Sequence, residues 1–410
     1  VKRFLRFFQR FPRCFFQRFF LPLASVIILI GGLSGCTTPP APPLRYQPAA
    51  WSALPGWSQD ALADAWPAWQ MSCRALLKKE AERVVWAAPC QASEAVDSSR
   101  PDAVRVFFES HFQAWQILAG NTNSADGATT DRGLITGYYE PLLAGNRTPN
   151  ARYHFPLYAR PDDLLIVELA SLYPELEGKR VRGRLVGNKV VPYFSRAEID
   201  RGNPALKAAP LFYVDDATDA FFLHIQGSGR LQLPDGHVVR LGYADQNGHP
   251  YRAIGGVLVQ RGDIARENLS MQTIKAWGRE HPDALPALLD ENPSYVFFRE
   301  VPPPEPGSLD ARIDGPIGAL GVPLLAQRTI AIDRNLLPLG APFFLDALDP
   351  DSRAPLQRLT MAQDTGGAIR GAIRADFFYG TGKEAGDRAG KMREMGRLWL
   401  LWPKGREPGK

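Results

Sequence analysis

Apolar positions along this 410-residue chain change rhythm as it proceeds. An apolar run from Phe19 to about Ile30 stands near the start. From Asp60 to Gly120 the spacing is helical. It is seen in Asp60-Ala-Leu-Ala-Asp-Ala-Trp66 and in Trp69 to Val85. It is clearest from Asp102 to Ala119, where Val106, Phe107, Phe112, Trp115 and Leu118 predict one stripe of a helix. Those aromatics are read as core, since large apolar rings are usually buried. From Gly133 the rhythm shortens to that of strands. Gly133-Leu-Ile-Thr-Gly-Tyr-Tyr-Glu-Pro141, Leu211 to Val214, Ala220 to Gln226 and His237 to Ala244 are predicted strands between Gly, Pro and Asn turns. Asn268 to Glu280 predicts a helix. Strands return at Glu291 to Phe298, Thr329 to Asp333, Pro342 to Asp346 and Arg397 to Trp402. Glu384 to Gly390 reads as a polar segment punctuated by glycine. The prediction is a mainly β chain with some α, whose short late strands and tight crossovers suit a small closed barrel.

Composition changes this picture at one end only. Lys and Arg number 48 and Asp and Glu 43, a net of +5, but six basic residues and no acid fall before Cys36. The remainder is close to neutral, which gives no reason to expect nucleic-acid binding. Basic residues up to Arg18, the short apolar run and Leu33-Ser-Gly-Cys36 predict a secretory leader over 1–35. The ending resembles a bacterial lipoprotein cleavage box with Cys36 as the acylated residue. Thr37, not Asp, follows it, which by the same resemblance points to the outer membrane. Thirty-five residues are more than such leaders usually carry. Residues 36–57, rich in Pro and Ala, are expected to be a tether. Cys73 and Cys90 remain in a compartment that permits disulfides. Either a bridge or two buried thiols fits them.

The candidate chemistry lies between Met361 and Gly382. Asp364 precedes a Thr-Gly-Gly turn, and Asp376 precedes Phe377, Phe378 and Tyr379. A carboxyl beside buried aromatics holds its proton more tightly, as a general acid must. The plain alternative is that Asp364 caps a turn and Asp376 sits on an ordinary strand. Gln226-Gly-Ser-Gly-Arg230 lacks the Lys-Ser/Thr pair of a phosphate loop, and no Gly-x-Ser-x-Gly elbow occurs. The six histidines are scattered, without metal-ligand spacing. Tyr243 to Tyr251, rich in amides and aromatics, fits either a sugar platform or ordinary turns.

Five motifs in order carry a specific resemblance. They are Gly137 to Pro141, His224 to Arg230, Arg240 to Tyr251, Ala331 to Asp333, and Ala362 to Gly371 continuing to Asp376. In them the chain resembles the membrane-bound lytic murein transglycosylase A family, from about Ser58 to the last strand. The resemblance implies a double-psi β-barrel built from both ends of the chain, with a second β-domain inserted. The implied organisation is a helical part and first barrel segment over 58–140 and an inserted β-domain over 141–290. The three-aspartate part of the barrel then covers 291–402 and a tail 403–410. It implies Asp376 as the catalytic acid, with Asp364 and Asp333 in support. It lines the substrate groove with Tyr138, Tyr139, Glu140, Gln226, Gly227, Ser228, Gly229, Thr365 and Gly366.

The implied reaction cleaves the β-1,4 bond between N-acetylmuramic acid and N-acetylglucosamine and leaves a 1,6-anhydro end. Exo action follows from the resemblance alone. One carboxyl suffices, because the sugar's own C6 hydroxyl is the nucleophile; no metal or cofactor is called for. The implied setting is the periplasmic face of the outer membrane. The implied partners are glycan strands, with murein synthases and amidases as suggested protein partners. Two alternatives stay open: a hydrolase using Glu140 or Asp364 as second carboxylate, and a non-catalytic wall-binding protein.

Overall fold

The computed structural model describes residues 44–120, 128–176 and 181–409. The expected leader, Cys36 and the first part of the expected tether lie outside the described residues.

The described residues open with β1 (Arg45–Ala49), α1 (Trp66–Leu76), α2 (Glu80–Ser93) and α3 (Pro101–His111). β2 (Phe112–Gly120), β3 (Thr129–Thr130) and β4 (Gly133–Glu140) follow. A middle part holds β5 (Leu142–Asn146), β6 (Phe155–Tyr158), β7 (Leu165–Ile166), β8 (Arg182–Val186), β9 (Lys189–Pro192) and α4 (Arg196–Asp200). It continues with β10 (Pro210–Val214), α5 (Ala217–Gln226), β11 (Gly229–Gln232), β12 (Val238–Gln246), α6 (Ile254–Arg261), α7 (Met271–Glu280), α8 (Leu285–Asp290) and β13 (Val296–Val301). The last part is β14 (Thr329–Ile332), β15 (Pro342–Leu348), β16 (Pro355–Asp364), β17 (Ala375–Thr381), α9 (Gly382–Lys391) and β18 (Arg393–Pro403).

Strands from both ends of the chain share one sheet, in the order β1-β2-β18-β15-β16-β14-β17-β4. β4 also pairs with β18, so the hydrogen bonding from β18 through β15, β16, β14, β17 and β4 returns to its start. Two pairs in it are parallel, β14 with β16 and β17 with β4. The middle part forms its own sheet, β13-β12-β11-β5-β10-β6, and a smaller one, β7-β8-β9. Helices α1 to α3 pack their aromatic residues, Trp66, Trp69, Trp86, Phe107 and Phe108, into the same core as the large sheet. Cys73 of α1 and Cys90 of α2 are joined by a disulfide.

Four expectations are corrected. The stripe from Asp102 to Ala119 is not one helix. The helix ends at His111, and β2 takes over because β1 and β18 bond it on both edges. Ala220 to Gln226 is helix, not strand. Asp216 caps it by accepting from the Asp219 N–H, and Gly227, at φ 77°, ends it in the left-handed conformation. Phe221, Phe222, Leu223 and His224 are all buried, so no periodicity betrayed the helix. The polar segment around Glu384 is helix α9. Its Gly386 faces the Tyr139 ring so closely that a Cβ there would come within 2.7 Å of it. The expected tether over 36–57 does not hold for its second half, where Arg45–Ala49 is a strand. Trp57 is buried, and its Nε1 donates to Glu109 Oε1 at 2.8 Å.

Candidate active site

Strand alternation builds the site. On β4, β14 and β17, the side chains of Ile135, Tyr139, Ile330, Ile332, Ala375, Phe377 and Tyr379 enter the main core. The residues between them face the other way. Tyr138, Ala331 and Phe378 form a small apolar cluster there with Leu324 and Ile369. Thr136 and Asp376 belong to the same face and stand opposite each other in the parallel β4–β17 pair. The Thr136 hydroxyl donates to Asp376 Oδ1 at 2.7 Å. Asp376 keeps part of its surface open. Burial nonetheless raises its pKa, against the lowering effects of the Thr136 bond and of the Arg374 cation. Arg374 is held by carbonyls, donating to Ala375 O at 2.6 Å and Leu134 O at 3.4 Å.

Asp364 reaches the same face from β16, paired with Ala331 on the far side of β14 from Asp376. The two backbones are therefore about 10 Å apart, two strand spacings. The Ala319 N–H donates to Asp364 Oδ1 at 2.9 Å. Burial pushes the carboxyl up to about 6, with the Asp376 charge adding to the rise; the Ala319 and Thr365 amides and Tyr138 pull it down. The Tyr138 hydroxyl is buried without a hydrogen-bond partner of ordinary geometry. Burial and the two carboxylates together hold its proton on.

Asp333 has partners other than this pair. At the end of β14 it accepts the Gly371 N–H at 3.0 Å and the Asn335 N–H at 3.2 Å, with Arg370 at 3.5 Å. It thereby pins the connection running from Asp364 to Asp376. Thr365 helps by donating to Ile332 O at 2.9 Å, and Gly366 accepts the Ile369 N–H in the same turn.

Two residues expected in the groove are directed elsewhere. Tyr139 points into the core beneath α9, as alternation from Tyr138 requires. Glu140 is buried, at 1 % exposure, and its Oε2 accepts from both Arg230 Nε and the Thr381 hydroxyl, each at 2.8 Å. Arg230 reaches on to Asp314 at 2.8 Å. Glu140 also lies four residues beyond Thr136 on β4, about 13 Å at 3.3 Å per residue. Gln226 accepts the Tyr139 N–H at 3.2 Å, so the end of α5 is tied to β4. Gly227 and the half-exposed Ser228 make the turn that follows, and Gly229 begins β11 packed on Leu223 and Pro141. The amide-rich Tyr243–Tyr251 stretch is the end of β12, through Gln246, and the bend that follows it. Asn247 is buried, donating to Phe194 O and Pro293 O and accepting the Tyr295 N–H.

Thr136 and Ala319 were not anticipated. Thr136 was legible, because it stands two residues before Tyr138 on one strand. Ala319 was not, because a backbone amide leaves no trace in side-chain chemistry. Among the described residues, no group of three or more His, Cys, Asp or Glu side chains is arranged to hold a metal ion.

Comparisons with known proteins fit this geometry. Residues 134–299 match the MltA specific insert domain, and residues 328–402 match the 3D domain. The chain is 36% identical over 275 residues to the membrane-bound lytic murein transglycosylase A of Escherichia coli (strain K12), a match covering 65% of each chain. It is thus similar to somewhat under two thirds of that relative's length. It resembles the crystal structure of MltA from Neisseria gonorrhoeae at 35% identity and a TM-score of 0.71, covering 89% of this chain and 92% of that one. It also resembles E. coli MltA with bound chitohexaose, at 30% identity and a TM-score of 0.55, covering 73% of this chain and 78% of that one.

Proposed function

The chain belongs to the lytic murein transglycosylase A family, and from that premise we propose that it cleaves peptidoglycan glycan strands by intramolecular transglycosylation. Asp376 is the acid. It gives its proton to the glycosidic oxygen between N-acetylmuramic acid and N-acetylglucosamine, and the bond from that oxygen to the muramic C1 breaks. The carboxylate so formed then takes the proton of the muramic C6 hydroxyl as that oxygen bonds to C1. The products are a free N-acetylglucosamine hydroxyl and a 1,6-anhydro end, and Asp376 is protonated again. The observation that carries the reading is Asp376 itself: a residue with part of its surface open, whose carboxyl is held toward the protonated form by burial and aligned by Thr136. The chitohexaose held by the E. coli relative supports a β-1,4-linked amino-sugar chain as ligand.

The same reading takes the closed path of six strands as a double-psi β-barrel made from both ends of the chain, with 141–290 inserted. It places the protein at the periplasmic face of the outer membrane through acylated Cys36; relatives are named membrane-bound. Among the described residues no helix is long and apolar enough to cross a membrane.

A hydrolase using Asp364 as base is the second reading, favoured by its place two strands from Asp376. Against it, Asp364 is already committed to the Ala319 and Thr365 amides. Digestion of purified murein followed by mass spectrometry separates the two. Anhydro ends from the wild type and none from Asp376→Asn are expected. Reducing muramic acid ends, or full activity of Asp376→Asn, would overturn the proposal.

A further inference from the structure

One residue of β16 has no partner position on β14. The parallel pair matches Met361 with Thr329 and Ala362 with Ile330, and then Asp364 with Ala331. Gln363 is the extra residue, a β-bulge. In unbroken register Asp364 would stand beside Ile332, whose side chain lies in the main core. The bulge therefore decides which face of the sheet receives the Asp364 carboxyl.

Gln363 is fully buried, and its amide is occupied at both ends. Nε2 donates to Ala68 O at 2.6 Å and to Ser72 Oγ at 3.1 Å, both in α1. Oε1 accepts the Thr329 hydroxyl at 3.1 Å. The Gln363 carbonyl accepts the Leu320 N–H at 3.0 Å, one residue from the Ala319 amide that holds Asp364. A buried strand position normally takes an apolar side chain, and a polar one there is costly unless each of its groups is bonded. This amide meets that condition by tying the bulge to a helix on one side and to β14 on the other.

We propose that Gln363 is the positioning residue of the acid pair: it holds the bulge that turns Asp364 onto the face of Asp376, and it anchors that bulge to helix α1. The inference rests on the reading of Asp376 as the acid. The polar and charged groups facing the pair are Tyr138, Thr136, Arg374 and the Ala319 and Thr365 amides, and Gln363 touches none of them. Its influence passes through the position of Asp364 and of the Ala319–Leu320 segment that holds it.

The test uses the full chain and purified murein, with Gln363→Leu, Ser72→Ala and Asp376→Asn. Gln363→Leu removes all three side-chain bonds at nearly constant volume. A misplacement of about 1 Å at a reacting centre costs on the order of 100-fold, so kcat should fall about 10- to 100-fold with KM within about twofold. The alkaline limb of the pH profile, which reports the coupled pair, should move to lower pH, because a displaced Asp364 loses the rise in proton affinity that the Asp376 charge gives it. A merely structural role would lower the melting temperature and the folded fraction but leave the limb where it was. If Gln363→Leu fails to fold, Ser72→Ala decides, with a loss of about two- to fivefold and the same direction of shift. A folded deciding variant with wild-type kcat and an unmoved limb overturns the inference. Full activity of Asp376→Asn overturns the reading of the acid instead, so the two failures are told apart.

Discussion

Thr136 and Asp376 face each other across two parallel strands, and the threonine hydroxyl donates to the carboxyl at 2.7 Å. The bond serves the ionised form better than the protonated one, so it lowers a pKa that burial raises. Thr136→Val keeps the shape and removes the donor. The alkaline limb of the activity profile should rise by about one pH unit, since a hydrogen bond to a charged group contributes about 1.5–3 kcal/mol before screening. A limb that stays in place in rate-against-pH measurements would show that Thr136 does not set the acid.

Glu140 is expected to matter for stability and not for chemistry. Removing its charge leaves the mostly buried Arg230 with the largely exposed Asp314 carboxylate. Glu140→Gln should cost about 2–3 kcal/mol, below the usual loss for a broken buried pair because the amide still accepts from Thr381. Urea unfolding measures that loss. Activity per folded molecule should stay within about threefold.

Asp364 should make the fold weaker at neutral pH. Its folded pKa, about 6, lies above the ordinary value of 3.8, so the folded state binds the extra proton between those values. The stability this provides is present at low pH and is lost as pH rises through about 4 to 6. Asp364→Asn, which no longer ionises, should therefore melt higher at pH 7 by several degrees, for roughly 1–2 kcal/mol. The gain should vanish near pH 4. Calorimetry at the two pH values tests the sign directly.

The Cys73–Cys90 bridge spans 17 positions. Closing a loop of that size is worth about 3 kcal/mol in the unfolded-chain account. Cys73→Ser with Cys90→Ser should lose about that much in denaturant unfolding. Titration of the unfolded, unreduced protein should find neither Cys73 nor Cys90 as a free thiol.

Much of the strand content and both face-sharing aspartates could be read from the sequence, because turn residues and alternation are local signals. β4, β10, β12 and β18 lie close to their predicted places. What escaped depended on distant partners. β2 looked helical until β1 and β18 bonded its edges. α5 is buried on several sides, so its apolar run carried no period. α9 was hidden by its glycines, of which Gly386 admits the Tyr139 ring. In the site, Asp364 and Asp376 were named from a motif. The fate of Glu140 was not legible, because its captor Arg230 is 90 positions away.

The closed path of strands also has a temporal side. β4 finds its two neighbours in β17 and β18, with Thr136 some 240 residues from Asp376. Joining points that far apart costs about 5 kcal/mol of chain entropy before any contact offsets it. The sheet spanning residues 142–301 needs no such reach and can assemble first. Until the final strand is available, β2, β4 and β15 each lack a partner they have in the finished fold, and their edges stay open to other chains. Loss of as few as the last 18 residues would leave those edges permanently unpaired, so a truncated chain should aggregate and not merely lose activity.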